Sequence, residues 1–233
     1  MNIVAAILVL FAALLVGVVS YTFVPVIQGE EEEPLPKGKD LLVMTKKTLR
    51  QMHRKQYLFL VVTALICAVA TFYLAGAEKN PMELFRYCAV ELTLLAIMII
   101  DGKTYRIPNI VLFILLGVST LLTVAEVFTG QRVWKDALLT SGLGLIACIA
   151  LFYLMARLTK DGIGMGDVKL IAVMGWTIGL SLTLTAVFVS LIFCTIAAVL
   201  LLITKRKTVK DAIPFGPFLF WGYMAVLFIV SIF

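Results

Sequence analysis

The chain has 233 residues, of which 62% are hydrophobic and 15% charged, with a mean hydropathy of +1.06. That is far more apolar than a soluble domain of this length, so the sequence reads as an integral membrane protein with the lipid bilayer as its surroundings. The net charge of +6 is then the Lys and Arg excess of loops on one membrane face, and no nucleic-acid partner is expected.

Apolar runs approaching the ~20 residues needed to cross a bilayer recur along the chain. The first spans 3–27. No Lys or Arg precedes it, so it lacks the basic start of a signal peptide and is expected to be a retained transmembrane helix with the N-terminus outside. Residues 28–56 are expected to be a polar cytoplasmic loop. Glu30 to Glu33, Pro34 and Pro36 read as solvated linker. Leu41 to Gln56 reads as an interfacial helix, with Leu41, Leu42, Met44, Leu49 and Met52 on one side and Lys46, Lys47, Arg50 and Arg54 on another. His53, the single histidine, has no partner for a metal and reads as a surface cation.

Residues 57–233 read as a membrane-embedded core, with further spans near 57–76, 83–100, 107–128, 135–157, 168–179, 180–203 and 214–233. The run at 168–179 is short for a crossing and is expected to be a half-helix or a helix buried among others. Gly179 and Ser181 mark the reversal into the next span. The expected fold is an all-α polytopic bundle of about eight transmembrane segments.

Charge counting gives the orientation. With the N-terminus outside, 16 of the 20 Lys and Arg fall in the inside segments 28–56, 101–106, 157–169 and 204–212. Lys79, Arg86, Arg132 and Lys135 fall on the other side. The positive-inside rule then puts Asp101 and Asp167 on one, cytoplasmic, face.

The four cysteines, Cys67, Cys88, Cys148 and Cys194, stand singly in or beside apolar runs and form no C-x-x-C pair, so they read as packing residues. Neither a phosphate-cradling G-x-x-x-x-G-K-[ST] loop nor a G-x-S-x-G elbow is present. No metal and no cofactor are expected.

The chemistry concentrates in two stretches. One is Ile100-Asp101-Gly102-Lys103-Thr104-Tyr105-Arg106-Ile107-Pro108-Asn109. The other is Gly162-Ile163-Gly164-Met165-Gly166-Asp167-Val168-Lys169-Leu170. An acid at the edge of a bilayer marks a functional site, and glycines beside it admit another segment closely. Two carboxyls held together cannot both ionise cheaply. One can take a proton from water while the other gives one to a peptide carbonyl, which is aspartic-protease chemistry. The structural alternative is that each acid ends a helix, paired with Lys103 or Lys169.

A third stretch, Pro214-Phe215-Gly216-Pro217-Phe218-Leu219, completes a pattern. Asp101 with Ile107-Pro108-Asn109, then Gly164-x-Gly166-Asp167-x-Lys169, then this proline-rich turn, in that order and between spans, resembles the type IV prepilin peptidase family. The likeness runs from about residue 83 to the C-terminus. It implies catalytic roles for Asp101 and Asp167. It also implies the helical bundle of the G-x-G-D membrane aspartic proteases, and pilin or pilin-like substrates cut at the cytoplasmic face. Long members also methylate the new N-terminus and carry two C-x-x-C pairs in the first cytoplasmic loop. The loop at 28–56 has no cysteine, so the resemblance implies a short form with peptidase activity and doubtful methyl transfer.

The other residues near these motifs read as site-shaping or substrate-binding. Gly164 and Gly166 allow close approach to Asp167, and Lys169 can hold a carboxylate or a lipid phosphate. Pro108 ends the turn after Asp101 and starts the next helix, and Asn109 follows it. Pro214 and Pro217 hinder regular helix around Gly216, leaving amides and carbonyls for an extended substrate or simply starting a helix. Glu91 lies ~15 Å up the helix from Asp101 and reads as a buried, hydrogen-bonded acid without a chemical part. Trp134 and Trp221 read as interface or packing aromatics. Rival readings are a presenilin-like G-x-G-D protease, a proton-coupled transporter using the same acids, and a catalytically idle assembly partner. The first lacks the I-P-N element, and the second favours midplane sites and repeats that are not visible here.

Overall fold

The computed structural model describes residues 2–28, 39–77, 80–159, 162–206, 208 and 211–232. Among the described residues the chain forms nine helices and no strand. They are α1 (Asn2–Gln28), α2 (Lys39–Gln51), α3 (Arg54–Ala77), α4 (Pro81–Thr104), α5 (Asn109–Phe128), α6 (Trp134–Leu158), α7 (Met165–Ile178), α8 (Leu180–Ile203) and α9 (Gly216–Ile232). A helix lies at each of the eight expected spans, so the chain is a polytopic helical membrane bundle. The glutamate and proline linker at 30–36 lies outside the described residues, as do Lys37, Lys79, Lys160, Lys207 and Lys210.

The structure corrects several boundaries. The helix expected at 41–56 stops at Gln51, and Arg54 to Gln56 already belong to α3. Met52 and His53 break the two apart. The apolar run at 83–100 continues as helix to Thr104, so Asp101 sits within the last turn of α4 and not in a loop. Likewise α7 begins at Met165, which puts Asp167 inside its first turn.

Local chemistry sets these ends. Asn80 caps α4 by accepting from the Met82 amide at 3.0 Å, and Pro81 takes the first helical position, where its missing N–H costs nothing. The helix closes on Tyr105, left-handed at φ 53°, whose N–H donates to the Asp101 carbonyl. Gly179 alone separates α7 from α8, at φ 80°, a conformation that favours glycine.

The helices sort into an inner and an outer set. Five are long and apolar enough to cross a membrane: α1, α3, α5, α6 and α8. Their apolar stretches are between 17% and 50% buried within the protein, which leaves broad faces for lipid. The other three at the expected spans lie deeper. In α4 every residue from Leu94 to Asp101 is buried. In α7 Val168, Leu170 to Gly175 and Thr177 are buried, and in α9 Leu219, Phe220, Tyr223, Met224, Val226 and Leu227. α4 packs on α1, α5 and α9; α7 packs on α5, α6 and α8; α8 also packs on α9.

The 14 residues of α7 give a rod of about 21 Å, short of the ~30 Å hydrocarbon core. It is therefore a helix held among others. Its closest contact is with α6. A Cβ on Gly144 would lie 2.0 Å from the Gly175 carbonyl oxygen, so the two backbones touch where only glycine fits.

Candidate active site

Asp101, in the last turn of α4, and Asp167, in the first turn of α7, come from helices that pack on each other. Asp101 is 6% exposed, whereas Asp167 is half-buried. Each acid lies against a helix N-terminus, which carries partial positive charge.

Asp167 occupies the third position of its own helix, after the N-cap Gly164. From there a carboxylate reaches back toward the cap amide, as in a capping box. A Cβ on Gly164 would stand 3.0 Å from Asp167 Oδ2, so the bare glycine leaves the carboxylate its room. Asp101 meets a different helix. The Gly216 amide, at the start of α9, donates to Asp101 Oδ2 at 2.8 Å.

The two helix-start motifs dock on each other. Ile107 covers Gly166, where an added Cβ would lie 3.2 Å from the Ile107 Cβ. Lys169 Nζ donates to Asn109 Oδ1 at 3.2 Å. Thus Gly166 makes room for the Ile107 side chain, and Lys169 is turned to an amide and not to a carboxylate. Lys103 lies over the ring of Tyr21, 4.3 Å from its centroid. Among the described residues no ion pair joins either aspartate to a lysine or arginine.

Pro108 is the N-cap of α5 and Asn109 its first residue. Pro217 lies in the first turn of α9, a position that tolerates proline, and its ring lies near Gly102. Pro214 is half-buried just ahead of that helix. The proline-rich stretch is therefore a helix start, and its free amide serves the protein's own acid.

Three features escaped the sequence reading. Cys194 of α8 lies within the field of Asp167. Arg86, counted as a loop charge, is buried in α4 and pairs with Glu126 of α5, while Thr123 accepts a second bond from it at 3.0 Å. Opposite charges at matching depth on consecutive antiparallel spans were the available signal. Tyr223 of α9 donates to the Tyr87 carbonyl of α4 at 3.0 Å. Glu91 is fully buried and accepts from Thr71 of α3 at 3.1 Å, joining two helices as expected for a structural acid.

A family model for the type IV leader peptidase family matches residues 88–199. The chain is similar to the prepilin leader peptidase/N-methyltransferase of Bacillus subtilis, at 26% identity over 160 residues, covering 68% of this chain and 62% of that protein. It is 33% identical over 97 residues to the protein of the same name from Xanthomonas campestris pv. campestris, covering 38% and 34%. With that of Pseudomonas aeruginosa it shares 29% over 136 residues, covering 58% and 46%. The chain thus spans less than two thirds of the length of these relatives. No solved structure matches it. Both aspartates and the two motifs that dock on each other lie inside the residues that match the type IV leader peptidase family.

Proposed function

We propose that this protein is a membrane aspartic endopeptidase that removes the short basic leader of prepilins or pilin-like secretion or competence subunits. Asp101 and Asp167 form the catalytic pair. The observation that carries the reading is that Asp101, in the last turn of α4, and Asp167, in the first turn of α7, come from helices that pack on each other, inside the stretch matched by the leader peptidase family. The excess of Lys and Arg in the loops on the side of the two acids favours a cytoplasmic active site.

The pair holds one proton between its two carboxyl groups. The ionised carboxylate takes a proton from a water molecule, whose oxygen adds to the scissile carbonyl carbon. The protonated carboxyl gives its proton to the carbonyl oxygen, producing a neutral tetrahedral diol. The C–N bond then breaks. The nitrogen leaves with the proton first taken from water, and a diol hydroxyl returns its proton to the other aspartate. The leader departs as an acid and the mature subunit as an amine.

The test is cleavage of a purified prepilin by the full-length protein in detergent. Asp101→Asn and Asp167→Asn should each reduce turnover by about 10³-fold or more, because the mechanism needs both groups. Both variants should still insert and accumulate. Full activity in either ends the aspartic-peptidase reading.

We assign this chain the peptidase step alone, since its loop at 28–56 contains no cysteine. With S-adenosylmethionine present, the mass of the processed product should show no added methyl group. A stoichiometric gain of one methyl would overturn that assignment.

A further inference from the structure

We propose that Gly216 is a positioning residue for Asp101. Its main-chain N–H ties down Asp101 Oδ2 and leaves Oδ1 as the oxygen that faces the water and Asp167. The inference rests on the dyad reading above, and it gives the proline-rich turn a task on the enzyme's own acid. Gly216 lies beyond the residues matched by the family model.

Three observations converge. First, the hydrogen bond is short, at 2.8 Å, and buried. The N–H donates to Oδ2, and a carbonyl-type oxygen is the better acceptor, so this bond favours a proton on Oδ1 over one on Oδ2. Second, the contact is built for glycine. An added Cβ would stand 3.0 Å from Asp101 Oδ2, 3.1 Å from the Asp101 Cβ and 3.0 Å from Ile97 Cγ2. Third, the amide is one that α9 cannot use itself. The first helical bond of that end runs from the Leu219 N–H to the Phe215 carbonyl, and Pro217 has no N–H. Asp101 therefore caps α9 from another helix, the reverse of the local arrangement at Asp167. A second bond between the same helices, Tyr223 Oη to the Tyr87 carbonyl, holds α9 in register on α4.

The consequence is a carboxylate whose orientation is fixed before substrate arrives, and whose charged form is favoured by a donor. Gly216→Ala keeps the N–H but pushes the turn away from Asp101. Gly216→Pro removes the N–H at a helix start that accepts proline. Each should lower turnover of a purified prepilin by about 10- to 100-fold, the worth of a bond to a charged group. Each should also move the acidic limb of the pH–rate profile to higher pH, since a carboxylate that loses a donor protonates more readily. Tyr223→Phe should give a smaller change in the same direction.

A folded variant with the parent's turnover, or one with lowered turnover and an unmoved acidic limb, overturns the proposal. If the proline variant does not accumulate, the alanine variant decides. A second measurement needs no change at Gly216. In ¹⁵N-glycine-labelled protein, Asp101→Ala should shift the Gly216 amide proton upfield, and an unmoved resonance would sink the inference. The outcomes stay separable. An active Asp101→Asn or Asp167→Asn defeats the dyad, whereas inactive asparagine variants beside a fully active Gly216→Ala defeat only the positioning role.

Discussion

The outer helices α1, α3, α5, α6 and α8 and the inner helices α4, α7 and α9 solve opposite problems. The outer set meets lipid on wide faces, and hydrophobicity nearly all round is enough. The inner set meets protein, so it can be short, like α7, or carry ionisable groups, like α4 with Glu83, Arg86, Glu91, Asp101 and Lys103. Such groups are tolerated only where neighbours satisfy them. The contrast teaches that both candidate acids sit on helices that look least like membrane spans.

Substitutions in the two sets should separate by size of effect. The largest belongs to the buried pair that joins α4 to α5. Arg86→Leu leaves the buried Glu126 with only Arg132, 3.7 Å away, as a cationic partner, and should cost about 3 kcal/mol, the low end for breaking a buried pair. Thermal unfolding in detergent measures it. Arg86→Leu combined with Glu126→Leu should recover most of the loss. If the single variant unfolds like the parent, the inner set does not depend on its charges.

Gly166→Val comes next. The branched side chain meets Ile107, already 3.2 Å from a bare Cβ, and should displace Asp167. Turnover of prepilin should fall by about 10-fold or more, with an overpacking cost of about 1–3 kcal/mol. Parent-like cleavage would reduce Gly166 to a helix-start residue.

Glu91→Gln should be mild. Gln retains an oxygen for the Thr71 bond, so cleavage should stay within about 3-fold of the parent. A near-total loss would move Glu91 into the chemistry. The smallest effect belongs to the outer set. Leu121 of α5 is 70% exposed on a lipid-facing side, and Leu121→Ala should change stability by less than about 0.5 kcal/mol. A large loss there would mean that the face packs against protein.

Each helix was legible wherever it carried a continuous apolar run or a strong stop. Gly179 announced the reversal after α7. The helix continuation past residue 100 was not legible, because charge marks a membrane edge and says nothing about where a helix ends. At the candidate site, the residue types and their order were readable. Their partners were not. Lys169 bonds Asn109 across 60 positions and Gly216 reaches Asp101 across 115, and no local pattern encodes such distances. The same holds for Arg86, whose burial depends on a charge 40 residues away.

The single-residue joint at Gly179 has a geometric consequence. α8 must turn straight back along α7. Cys194, well along α8, comes within the field of Asp167 because α7 is itself only 14 residues long. The far-side elbow thus acts as the zero mark of a ruler whose scale is α7, and Asp167 is set near its other end. One residue inserted between Gly175 and Gly179 would lengthen that ruler by about 1.5 Å and turn the carboxyl by about 100° around the helix axis. The depth and aim of an acid at one face of the membrane are therefore written in the spacing of residues near the other.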